Sequence, residues 1–316
     1  MKSLSLFLFA FVVATTLSCK HEKSNTGDGR AAEAVKTLTV QTAHEEEIQV
    51  PLSPERVVVF DIGALDVMDA LGVSDRIVAI PKQGIPGYLQ KYEEDNNIVN
   101  AGGLMEPNFE KIDAANPDLI IIGLRQLKDY QEYAEIAPTY FYDLEYKNYI
   151  GSIEENVKTL GRIFEVEDQA EKQWKAVYES IEKGKAKIKK SKEEALLVLF
   201  NNGKFSAYGH NSRFGYIFDD FGVIPQIEDI TVSTHGASIS SEYILEHNPD
   251  ILFVVDRNAA IAEGKIQKKA IENALIRRTK AFKNGKVIYL SPETWYIAGG
   301  GIQALEKAIQ ETVAAY

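Results

Sequence analysis

The feature that most restricts the fold of this chain is a duplicated segment. Glu110-Lys111-Ile112, then Asn116-Pro117-Asp118, an apolar run Leu119 to Ile122 and Arg125 recur as Glu242-Tyr243-Ile244, Asn248-Pro249-Asp250, Ile251 to Val255 and Arg257. The offset is a constant 132 positions (Glu110 to Glu242, Pro117 to Pro249, Arg125 to Arg257). In each copy a helix must end before the proline, which lacks an amide hydrogen and disfavours helical geometry in the residue before it. An unbroken apolar run reads as a strand covered on both faces. Two such helix–strand units predict two similar α/β lobes. In open α/β sheets ligands bind beyond the carboxyl ends of the strands, so Arg125 and Arg257 are expected at a shared cleft. A single arginine of this kind is ordinarily a surface ion pair; equivalent arginines in both copies shift the reading towards binding. Glu110 and Glu242 fall in the first turns of their helices, where the dipole favours carboxylates. Glutamate in both copies also suits paired docking contacts.

The rest of the chain fits this frame. Thr37 to Val40 and Ile48 to Val50 alternate like a half-buried hairpin. Arg56 to Phe60 and Ile77 to Ile80 read as strands flanking a helix that includes Val67 to Leu71 and ends at Gly72. From Ile153 to Ile188 apolar residues recur three or four apart, the period of a helix. Acidic residues at Glu165 to Asp168 predict a break, with Asp168 as a cap and a long helix running on to about Lys190. The strand-like run Ala195 to Phe200 then restarts the α/β rhythm. The expected fold is α/β: two lobes with largely parallel sheets, at 37–150 and 193–316, joined by a rigid helical segment at 151–192, with a cleft between them.

Composition sets limits on partners. With 316 residues, 45% hydrophobic and 26% charged, the chain is an ordinary globular sequence long enough for two cores. Its formal net charge of −11 repels phosphate backbones and argues against nucleic acid. An anionic ligand would need a local basic pocket. The single cysteine, Cys19, excludes an intrachain disulfide and CxxC metal chemistry. Ahead of it, Lys2 precedes an apolar run from Leu4 to Ala14 broken only by Ser5, the layout of a secretory signal and too short to span a bilayer. Residues 1–18 resemble a bacterial lipoprotein signal, which implies that Cys19 becomes the lipid-modified first residue; Thr16 stands where leucine is usual. Residues 19–36 are polar and read as a flexible tether lifting the protein off a membrane. The expected location is extracytoplasmic and membrane-anchored.

Three further stretches carry a resemblance: Ser212-Arg213-Phe214-Gly215, Thr234-His235-Gly236 and Pro292-Glu293-Thr294-Trp295-Tyr296-Ile297-Ala298-Gly299-Gly300. Together with the repeat they make the chain, from about Thr37 to Tyr316, similar to the periplasmic-binding-protein class whose two α/β lobes are joined by a rigid helix. Members of that class bind ferric siderophores, haem or cobalamin. The matches resemble the catecholate-siderophore branch, including binders of petrobactin and of tetradentate catecholates. The resemblance implies that Arg125, Arg213 and Arg257 meet catecholate oxygens. It implies that His235 and Tyr296 complete the iron shell when a siderophore supplies four donors. It implies that Glu110 and Glu242 dock an ABC permease, which works with its ATPase. The ligand would be an Fe(III)-siderophore, with no intrinsic cofactor, and the protein a monomer.

The chemistry is consistent. Fe(III) is hard and prefers oxygen, imidazole is a competent iron ligand, and a tyrosine near pKa 10 gains its phenolate from a nearby metal charge. Arginine stays charged and presents a planar fork to an anion. Other readings of the same residues remain. His235 is one of five histidines and Tyr296 one of fifteen tyrosines. Arg213 has Asp219 and Asp220 within reach along the chain, and Tyr296 could simply pack beside Gly299-Gly300-Gly301. An enzyme is disfavoured: there is no Gly-x-Ser-x-Gly, His-Glu-x-x-His or Walker sequence. His235 with Ser238 or Ser240 would lack an orienting acid. A haem or corrinoid binder of the same fold is the alternative, because histidine and tyrosine also ligate haem iron.

Overall fold

The computed structural model describes residues 36–41, 47–230, 235–261 and 264–316. The signal, Cys19, the tether up to residue 35, and Thr234 of the Thr-His-Gly stretch lie outside the described residues.

β1 (Thr37–Val40) and β2 (Ile48–Pro51) form the expected antiparallel hairpin, with Thr37 opposite Pro51. The first sheet holds β3 (Val57–Val59), β4 (Ile77–Ile80), β5 (Val99–Asn100), β6 (Leu119–Ile122) and β7 (Thr139–Phe141). They pair in the order β5-β4-β3-β6-β7, every pair parallel. The chain therefore winds one way from β3 and the other way from β6, so the switch point falls between these two strands. Both are wholly buried, as their unbroken apolar sequences require.

The second sheet repeats the plan. β8 (Glu194–Asn201), β9 (Lys204–Tyr208), β11 (Ala237–Ile239), β12 (Ile251–Asp256) and β13 (Val287–Tyr289) run β11-β9-β8-β12-β13, and the short β10 (Ile224–Pro225) pairs parallel with β8. β8, β12 and β13 are parallel, whereas β9 pairs antiparallel with β8 and β11 antiparallel with β9. The reason is local: Asn202 and Gly203 both take positive φ, 49° and 79°, which makes a tight hairpin after β8.

The duplicated motif has a structural role in each lobe. α2 (Phe109–Ala114) and α5 (Ser241–His247) end just before Asn116 and Asn248, left-handed residues at φ 47° and 50°. The following aspartates seat the neighbouring strand. Asp118 accepts from the Glu55 and Arg56 amides at 2.8 and 3.0 Å, and Asp250 accepts from the Glu194 amide at 3.2 Å.

α1 (Ile62–Leu71) ends at left-handed Gly72, as the sequence predicts. α3 (Tyr149–Ile163) and α4 (Glu167–Ile188) meet at a break where Glu165 has φ 55°. The cap position of α4 is Val166; Asp168 sits inside the first turn, which corrects its expected place as the cap. There it still complements the positive end of the helix dipole.

α4 leads from the first sheet to the second and packs on α8 (Ile302–Val313), the last helix. The approach is close enough that a Cβ on Gly184 would lie 2.6 Å from Ile309 Cγ1. α8 also contacts α1, where buried Asp66 accepts from the Gln303 and Ala304 amides at 2.8 and 3.0 Å. A stack of aromatic rings runs alongside: Tyr149 on Tyr216 at 4.5 Å and Tyr216 on Trp295 at 5.4 Å. One apolar cluster includes Val57 and Ile121 of the first sheet and Phe253 and Val255 of the second. The lobes thus share packing and are not two beads on a linker.

Candidate ligand-binding cleft

The carboxyl ends of the central strands supply the site. β6 runs into Gly123-Leu124-Arg125. Gly123 is required because a Cβ there would fall 2.1 Å from Asp61 Oδ2. Asp61 follows β3 and caps α1, accepting from the Ala64 amide at 3.0 Å. Buried Gln126 fixes the turn: its Oε1 accepts from the Gly123 amide at 3.2 Å and its Nε2 donates to Leu104 O at 2.7 Å. In the second lobe Arg257 opens the short α6 (Arg257–Ile261) directly after β12. Asp256, the last residue of that strand, is buried and accepts from the Asn258 and Gln267 amides at 3.0 and 2.8 Å. Arg213 follows Ser212, whose buried hydroxyl donates to Gly209 O at 2.6 Å.

These three arginines, far apart in sequence, converge on one residue at the end of α7 (Pro292–Tyr296). Arg125 Nη2 and Arg213 Nη2 donate to Tyr296 O at 2.6 and 2.7 Å. Arg257 Nε donates to the Tyr296 hydroxyl at 2.8 Å, and its Nη1 reaches Asn201 Oδ1 at 3.4 Å. Arg213 also lies over the phenol ring, 4.2 Å from its centre. Asp219 is engaged elsewhere, by the His210 ring and by the Asn211 amide at 2.9 Å. The ion pair of Arg213 with Asp219 or Asp220 is therefore not what forms.

Electrostatics follow from this crowding. Burial lowers the Arg125 pKa, and the charge of Arg213 lowers it further. For Tyr296 burial opposes ionisation, but Arg213, with Arg257 and Arg125, outweighs it and holds the phenol below its ordinary value of 10. Burial raises the Asp61 carboxyl, although the Ala64 amide and Arg125 pull the other way. Among the described residues no carboxylate lies within ion-pair distance of any of the three guanidinium groups. The result is a concentrated positive patch on an acidic chain.

The patch borders a cavity of about 430 Å³, which His235, Tyr142, Tyr149 and Trp295 also line. That volume is in the range of small-molecule sites. His235 is exposed at the rim. Glu110 and Glu242 do not join the cleft. Both are exposed in the first turns of α2 and α5, helices capped by Asn108, which accepts from the Lys111 amide, and by Ser240, which accepts from the Tyr243 amide. Backbone N–H bonding at the helix start and the Ser240 hydroxyl hold Glu242 below the usual carboxylate range. Asp61, Asn201 and the tyrosine wall escaped the sequence reading. Asp61 was findable, since it lies just beyond the carboxyl end of central β3, beside the switch point.

Residues 57–294 match the family described as periplasmic binding protein. The chain belongs to that family. The petrobactin-binding protein YclQ of Bacillus subtilis is 39% identical over 98% of each chain. Its crystal structure superposes with a TM-score of 0.86 at 40% identity, covering 89% of this chain and 98% of that one. The ferric-anguibactin-binding protein FatB of Vibrio anguillarum is 37% identical over 83% of each chain. The siderophore-binding protein BauB, solved with a complex of two acinetobactin molecules and ferric iron, is 37% identical with a TM-score of 0.82, covering 89% and 99%. The expected two-lobed α/β fold of this periplasmic binding protein is thereby met in solved relatives.

Proposed function

We propose that this periplasmic binding protein captures a ferric catecholate siderophore in the inter-lobe cleft and delivers it to an ABC importer for iron uptake. The observation that carries the reading is the convergence of Arg125, Arg213 and Arg257 on Tyr296. Three permanent cations around one phenol make a receptor for an aromatic anion: charged donors for its oxygens and flat guanidinium faces for its ring. Relatives named for petrobactin and ferric anguibactin support the same class of ligand. His235 and Tyr296 supply one nitrogen and one phenol oxygen for iron left short of six donors. The relatives are binding proteins, and this chain acts likewise without turnover. Glu110 and Glu242, one on each lobe, are the permease contacts. Residues 1–18 act as the signal, Cys19 as the lipid site and 19–36 as the tether. The lobes are 37–150 and 193–316, on either side of the connecting helices, and the protein works as a monomer.

Quenching of tryptophan fluorescence tests the ligand class. Trp295 lines the cavity, whereas Trp174 lies in a groove between α3 and α4 and is removed as background by Trp174→Phe. Ferric catecholates are expected to bind well ahead of ferric hydroxamates and haem. Preferential haem binding, with a Soret band, would overturn the proposal in favour of a haem carrier.

A further inference from the structure

The arginine bay is one half of the cleft. Beyond Arg125, Arg257 and Tyr296 lies a second hollow of about 270 Å³, continuous with the first through these shared residues. Arg213, His235, Tyr149 and Trp295 line the first hollow and not the second. Among the described residues Leu104, Ala260 and Ile261 line the second together with Gln83 and with Met105 and Ile297, which the first hollow shares, and its cations are the two arginines on the shared wall. Glu106 stands at the same place and would repel an anion.

The cleft mouth is also where apolar side chains are left in water. Among the described residues six large hydrophobic side chains are exposed, and three of them are here: Met105 at 59%, Leu124 at 55% and Ile261 at 42%. Met105 and Leu124 come from one lobe and Ile261 from the other, so the cluster straddles the cleft. Scattered exposed apolar residues need no explanation; a cluster bordering a charged pocket marks contact with a ligand.

We infer that the second hollow is a ligand subsite for an apolar arm, an alkyl chain attached to the chelating group. The chelate's negative charge is directed into the arginine bay, and the arm lies across Leu104 and Ile261. This rests on the ferric-catecholate reading and deepens it, because it makes the ligand's non-chelating part a determinant of selection.

Ferric complexes of an N-methyl and an N-hexyl catecholamide separate the two halves of the site. The hexyl complex is expected to bind the native protein at least about tenfold more tightly. Ile261→Ser, at an exposed position, should shrink that preference to under about threefold while methyl-complex affinity stays as in the native protein; Leu104→Ser should shrink the hexyl-to-methyl ratio to the same extent, and Ile261→Met should restore it. Equal affinity of the native protein for both complexes would overturn the subsite, as would a hexyl preference that persists in both serine variants. If neither complex binds, the ferric-catecholate reading falls, and the subsite with it.

Discussion

Asp66 offers a quantitative test of how the last helix is held to the first lobe. Its carboxyl is buried on α1, where Tyr88 donates to Oδ2 at 2.7 Å, the Gln303 amide to Oδ1 at 2.8 Å and the Ala304 amide to Oδ2 at 3.0 Å. Burial outweighs these donors and raises the pKa from 3.8 to about 7. The unfolded chain therefore gives up this proton first. The stability Asp66 provides is full below about pH 4, falls as pH rises towards 7, and is flat above that. The span between 3.8 and about 7, at ~1.36 kcal/mol per unit, amounts to about 4 kcal/mol. In Asp66→Asn the side chain no longer titrates. Its amide can serve Tyr88 and the Gln303 amide but faces the Ala304 amide donor to donor, at a cost of about 1–3 kcal/mol. Urea unfolding followed by circular dichroism should find the variant less stable at about pH 4 and equal or more stable at about pH 8. A stability gap that stays constant between those pH values would refute the assignment.

The cleft and the ends of the chain give further expectations. Arg125→Ala, Arg213→Ala and Arg257→Ala should each weaken ferric-catecholate binding by at least about tenfold, since a charged hydrogen bond is worth about 1.5–3 kcal/mol; full affinity in all three would remove the cleft as the site. His235→Ala and Tyr296→Phe should weaken tetradentate catecholates by at least about tenfold and hexadentate ones by under about threefold. Equal losses for both classes would mean that these side chains shape the pocket without touching iron. Glu110→Lys with Glu242→Lys should leave affinity intact and abolish uptake in cells; normal uptake would reduce both to helix-end carboxylates. Cys19→Ala should shift the protein out of the membrane fraction, and a wild type with no acyl mass would count against the anchor.

The duplicated segment made the architecture readable because its punctuation is physical. Proline ends a helix, an unbroken apolar run must be covered on both sides, and the residues after the run stand beyond the carboxyl end of a strand. That reasoning located Arg125 and Arg257. Arg213 came from the Ser-Arg-Phe-Gly resemblance, and its partner could not be read. Asp219 is only six positions away along the chain, but the fold gives that carboxylate to His210 and Asn211. Nor could the sequence tell that the Tyr296 carbonyl would receive two guanidinium groups, because a backbone acceptor leaves no trace in residue type. The antiparallel pairings of β9 and β11 were invisible for a different reason. Asn202-Gly203 is a hairpin signal, but it lies in a stretch already read as the restart of a parallel rhythm.

Tyr296 explains how such a site can wait without its ligand. Three like charges held together in a partly buried cleft repel one another, and the charge of Arg213 adds to burial in lowering the Arg125 pKa. A carboxylate would relieve the repulsion, but it would also neutralise the receptor and compete with any anion. The Tyr296 carbonyl and hydroxyl instead give neutral acceptors to all three guanidinium groups, fixing their orientation while leaving the charge uncancelled. On the proposed reading, an incoming catecholate would replace neutral acceptors by an anionic one, adding charge–charge attraction to bonds whose donors are already ionised. The side chains are already in place, so little conformational freedom remains to be lost on binding. The same argument bears on the overall charge: on the proposed reading a chain at −11 can hold an anion because the nearby field is set by three close guanidinium groups in a partly buried cleft, not by the net charge.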